Sequence, residues 1–107
     1  MTNPTSEAFH FDHIAAQTDL IFTGVEPSIA PLDNLHWAAL NCESSAMGKS
    51  LEQLVCLLAW RLPLVVRGLV LQAARRLRDG DVNRAEHLLD EAGRYTKGIS
   101  VSFLLTL

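Results

Sequence analysis

A proline stands near the middle of the most apolar stretch of this chain, and it limits the fold more tightly than any other residue. The stretch runs from Leu51 to Ala74 and holds Arg61, Pro63 and Arg67. Proline lacks the amide hydrogen and clashes with the turn before it, so an element over Leu51–Asp79 must kink or break at Pro63. The charges inside the run are too many for a membrane span. From Leu51 to Leu62 apolar residues lie on nearly every side, which predicts burial all round. After the proline the pattern becomes amphipathic: at about 100° per residue, Val66, Leu69, Val70, Ala73 and Leu77 share one stripe. Arg67, Gln72, Arg75, Arg76 and Arg78 fall on the opposite half, with Leu64, Val65 and Leu71 among them as a second, smaller apolar strip.

The rest of the chain is read around that element. Residues 1–7 are polar and predict a flexible tail, so residues 8–107 form the single domain. Apolar residues from Ala8 to Phe22 predict a helix that Thr23-Gly24 ends. Glu26 to Pro31, with a proline at 27 and at 31, predicts a stiff connector. Asp33 is a plausible N-cap for a helix from Asn34 to about Met47, which Gly48 stops. Ser50-Leu51-Glu52-Gln53 fits a capping box and predicts a new helix start there. Asp79-Gly80-Asp81 predicts a turn with Gly80 past one helix end and Asp81 capping the next. The next helix runs from Val82 to Lys97 with Val82, Ala85, Leu88, Leu89, Ala92 and Tyr95 on one side, and Gly98 closes it. Ile99 to Leu107 first alternates apolar with polar, the period of a strand. A lone strand needs a partner, so it must pair across a dimer or with another protein, unless the segment is a short helix. The fold expected is therefore all-α: three to five helices in one small domain, a homodimer, with a possible short C-terminal strand.

Composition bears on function. Hydrophobic residues make up 49% of 107, more than one thin domain can hide, so part of the surface is expected to be completed by a partner. The formal net charge of −3 gives no general attraction to nucleic acid or anionic lipid. The N-terminal residues have no basic, then apolar, leader pattern. Cys42 and Cys56 sit in helix-like apolar surroundings and are expected as reduced, buried thiols, with the cytoplasm as the default location.

Each possible chemical motif fails on a missing part. His10 and His13 could share a helix face, but no further metal ligands are patterned beside them. His36 with Cys42 and Glu43 lacks an orienting third group and an oxyanion site. Gly48-Lys49-Ser50 resembles the end of a phosphate loop, yet position 43 is Glu where the upstream glycine belongs. No catalytic role, cofactor, metal or small-molecule substrate is expected. The arginines at 67, 75, 76 and 78 read first as a solvated face; because they lack the interleaved aromatics that would stack bases, protein contact comes next and nucleic acid last. The expected partner-binding residues are Trp60, Leu64, Val65, Arg67, Leu71, Arg75, Arg78, Phe103 and Leu105.

Two resemblances follow from these residues. LQAARRLRDGDVNRAEHLLDEAGRY is similar to one unit of a tetratricopeptide-type helical repeat, although such arrays need about three stacked units for stability. The loose N-terminal third, the CLLAWRLPLVVRGLVLQAARRLRDGD core and the closing helix together resemble the small pseudomonad quorum-sensing anti-activators of the QslA type. That resemblance implies a helical homodimer that occupies the ligand-binding domain of a LuxR-type transcriptional regulator and blocks its dimerisation and DNA binding. The second expectation is a secretion-type chaperone or escort, whose C-terminal tail would add to a client.

Overall fold

In the computed structural model the backbone is described for residues 4–106 apart from 27, and side-chain surroundings for residues 8–96 apart from 27. The helices are α1 (Pro4–Ile21), α2 (Ala30–Leu40), α3 (Ser44–Leu58), α4 (Leu64–Arg78) and α5 (Val82–Thr106), with a 3-10 turn at Ala59–Arg61. No strand occurs among the described residues. Each helix packs on the next, and α1 also packs on α5, so the order of contacts closes into a ring. Every helix turns its apolar side to one core. Phe11, Ile14 and Ile21 of α1 meet Leu35 of α2, Met47, Leu51 and Leu54 of α3, Val66, Val70 and Leu77 of α4, and Leu89 of α5.

Pro63 breaks the chain, as its position requires. Leu58 ends α3, the 3-10 turn follows, and Pro63 stands as the residue before α4 with extended backbone. The Asp79-Gly80-Asp81 turn also forms. Gly80 has φ +86°, its N–H donates to Leu77 O, and Asp81 N–H donates to Arg76 O. Those two bonds are the paired closure of a Schellman helix end. Asp81 Oδ1 then accepts from Arg84 N–H, capping α5.

Several boundaries differ from the sequence reading. α1 already begins at Pro4, since proline fits the first helical turn, where its missing N–H has no partner to lose. Pro31 does the same for α2, which starts at Ala30 after Ile29, with Asp33 inside the first turn rather than at the cap. α2 stops at Leu40, and Cys42 takes φ 54° while Cys42 N–H bonds Ala39 O and Glu43 N–H bonds Ala38 O. A cysteine thus fills the left-handed position that glycine fills after α4.

α3 starts at Ser44, not at the Ser50 box, and passes straight through Gly48. Gly48 serves packing there: a Cβ would lie 2.5 Å from Ala74 O and 2.7 Å from Arg78 Cγ. Gly98 likewise does not stop α5. The segment whose alternation predicts a strand continues in helical backbone to Thr106, and a helix pairs its own N–H groups with carbonyls four residues earlier. The side chains of Phe103 and Leu105 lie outside the described residues.

Candidate partner-binding surface

The break at Pro63 leaves a corner between α3 and α4, and the corner is apolar on its outside. Trp60 is 79% exposed, Leu64 78%, Leu57 53% and Val65 47%. The segment expected to be buried all round is therefore two-sided. Leu51, Leu54, Val55 and Leu62 face the core, while Cys56, Leu57 and Trp60 face out. The reason is that the 3-10 turn shifts the stripe away from a continuous helix, and α2 and α4 cover only one side of α3.

Two arginines hold this corner in place. Arg61 donates from Nη2 to Thr23 O at 2.7 Å, tying the 3-10 turn to the connection after α1. Arg67 reaches back from α4 and donates to Ala59 O at 2.7 Å and to Leu62 O at 3.3 Å. Ala59 O also accepts from Leu62 N–H at 3.1 Å, closing the 3-10 turn, so Arg67 is its second donor, and Leu62 O lies just before Pro63 at the end of the turn. Arg67 is half-buried and its Nε has no protein acceptor. It is thus a brace beneath the surface, not the outward contact residue that the helical wheel predicted.

Beside the braced turn lies a groove of about 470 Å³ with mostly apolar walls, formed by Val25, Ile29 and Leu58 together with Trp60 and Arg61. The loop between α1 and α2 completes it, where the sequence predicts only a stiff connector over Glu26 to Pro31. Only its Gly24, with φ +91° and Arg61 Nη2 at 3.4 Å from an added Cβ, carries a sequence trace of the close approach.

The remaining expected contact residues separate. Leu64 and Val65 are exposed beside Trp60 on the outside of the corner. Leu71 is half-buried and packs on the core. Arg75 is exposed, and Arg78 donates from Nη1 to both oxygens of Glu52 at 3.1 Å, which pins α4 to α3. Phe103 and Leu105 cannot be placed, being outside the described side chains. The two cysteines expected to be buried are both exposed and unpaired, Cys42 at its left-handed turn and Cys56 on the outer side of α3.

The histidines prove less scattered than their spacing suggested. His10 Nδ1 lies 2.9 Å from Glu86 Oε2, and His13 Nε2 lies 2.7 Å from Asp90 Oδ1. Gln17 donates to the same Asp90 oxygen at 2.7 Å. His36 Nε2 of α2 sits 2.8 Å from Asp19 Oδ1 of α1. These contacts form a polar edge along α1. Its trace in the sequence is the spacing of His10, His13 and Gln17 opposite Glu86 and Asp90, each set on one helical face.

Among the described residues no group of three or more His, Cys, Asp or Glu side chains could hold a metal, and no helix is long and apolar enough to cross a membrane. The chain is a small all-α domain, and it matches no protein-family model, no curated protein and no solved structure.

Proposed function

We propose that this chain is a regulatory protein-binding module whose contact surface is the α3–α4 corner. The observation that carries this reading is Trp60, a large aromatic side chain presented to solvent on a turn braced by Arg61 and Arg67. Binding energy at protein interfaces concentrates in such anchors, and a turn whose backbone is already braced loses little backbone entropy on docking. Leu64 and Val65 widen the apolar surface, and the groove beside Trp60 can take a partner side chain.

The resemblance to the QslA-type anti-activators makes a LuxR-type transcriptional regulator the partner of choice. The mechanism is competition: the corner covers a surface of the ligand-binding domain that the regulator needs for self-association, and DNA binding fails with it. No catalytic step, cofactor or nucleic-acid contact belongs to this role, and the site of action is the cytoplasm, where such a regulator works. Self-association of the chain belongs to the same proposal. The outer side of α2, with exposed Trp37 and Leu40, offers a second apolar surface for it.

The test is co-expression with the ligand-binding domain of a LuxR-type regulator, followed by size-exclusion chromatography with light scattering. A stable complex containing one regulator copy is expected, and Trp60→Ala or Val65→Asp should abolish it while circular dichroism stays helical. Absence of a complex removes the regulator as partner; a complex indifferent to both substitutions removes the corner as its site. Leu71→Asp is a poor probe, because Leu71 packs on the core. The chaperone reading rests on the tail as an added strand. Deleting residues 99–107 separates the two, since only a client held by the tail would then be lost.

A further inference from the structure

The fold accounts for its other described glycines in ways that leave Gly68 without a reason. Gly24 and Gly80 have positive φ, Gly48 lies against α4, and a Cβ at Gly93 would come 3.0 Å from Gln17 Oε1. Gly68 stands in the middle of α4, where glycine weakens a helix, and a Cβ added there would meet no heavy atom within 4 Å. Its surroundings along the outer side of α4 are specific. At helical spacing, Leu64 and Val65 precede it, Gln72 follows, and Arg75 and Arg76 complete the row, all exposed. Among the described residues neither Arg75 nor Arg76 forms an ion pair, whereas Arg78 does.

From this arrangement we infer that the outer face of α4 receives an α-helix of the partner, which crosses α4 at the Gly68 notch and places carboxylates over Arg75 and Arg76. The inference rests on the corner as contact surface and names what docks there. Side-chain loss at the crossing point lets two helix backbones approach closely, which an alanine methyl would prevent. The charge order fixes the partner's chemistry: aliphatic residues opposite Leu64 and Val65, acidic residues opposite the arginines. From Leu64 to Arg76 the face spans about 18 Å at the helical rise, room for roughly three turns of a crossing helix. A second copy of this chain fits less well, because it would bring its own arginines to the same face without an acidic row to meet them.

The experiment is a selection from a library of amphipathic helical peptides on the full-length protein, followed by fluorescence anisotropy of the winning peptides. Acidic sequences should be enriched. Arg75→Glu with Arg76→Glu should weaken them at least tenfold, and Gly68→Ala by a similar factor, while Gly68→Ala raises the melting temperature. That combination separates a blocked notch from a damaged fold. No enrichment, or winners that bind Gly68→Ala and wild type equally, overturns the inference. Winners that respond to Trp60→Ala but not to Gly68→Ala also overturn it, yet leave the corner itself intact as the contact surface. Sedimentation velocity gives the last arm: self-association lost in Gly68→Ala would assign the face to a second copy and likewise overturn it.

Discussion

At Gly48 the bare backbone of α3 lies so near α4 that a single methyl group would have to displace main chain, since Ala74 O stands 2.5 Å from the Cβ position. Backbone yields less readily than a side-chain end, so Gly48→Ala should cost about 2 kcal/mol or more, read from the urea midpoint. A loss below half a kilocalorie would mean the helices separate more easily than their packing implies. Cys42 presents the opposite case. Its φ of 54° is a conformation that L-residues occupy at a cost of about 1–2 kcal/mol. Cys42→Gly relieves that cost but adds freedom to the unfolded chain, so a net gain of about 0.5–1 kcal/mol is expected in the same measurement. Neither role could be read from the residue type alone. Glycine signals helix ends as well as close contacts, and cysteine rarely fills a left-handed turn.

The elements show where local signals compete. The break at Pro63 and the turn at Gly80 were legible because each rests on a covalent property, a missing N–H or a missing Cβ, that no tertiary contact can restore. The start of α3 was not, because two local signals, Gly48 and the Ser50 box, outweighed a longer one. Met47, Leu51, Leu54 and Val55 form an unbroken buried stripe across the supposed break, and burial decides. Ser50 is accordingly buried within α3, while Ser44 donates its hydroxyl to Leu77 O at the helix start. The same competition hid the α3–α4 brace. A helical wheel places Arg67 among the solvated arginines, yet it bends back over a turn that a wheel does not contain. Arg67→Ala should therefore cost about 1–2 kcal/mol, since it leaves Leu62 O without its side-chain donor and takes from Ala59 O the second of its two donors, the first being Leu62 N–H. Arg75→Ala, on the exposed side of the same helix, should stay within about 0.5 kcal/mol of wild type. Equal costs for the two would show that the brace adds nothing to the fold.

For the molecule as a whole, α1 decides whether four helices in series become a closed core. It is the least legible helix in the sequence, because two kinds of contact share its surface. Phe11, Ile14 and Ile21 enter the core, while His10, His13 and Gln17 run beside them toward Glu86 and Asp90. That polar row dilutes the apolar periodicity, and its own partners lie far away in the chain, on α5, where no local pattern announces them. The two contributions differ in size. His13 and Asp90 are each about one third exposed, so solvent offsets most of what their contact gains. A double-mutant cycle on the pair should return a coupling of about 0.5 kcal/mol. Ile14 is fully buried, and Ile14→Ala should cost about 2–5 kcal/mol through lost burial and the cavity left behind. The polar row then sets the rotation of α1 about its axis, since only one register brings both histidines to carboxylates, while the apolar side supplies the attachment. If the cycle returned more than the Ile14→Ala loss, α1 would be held chiefly by its ionic edge, and its docking would be sensitive to salt in a way that an apolar interface is not.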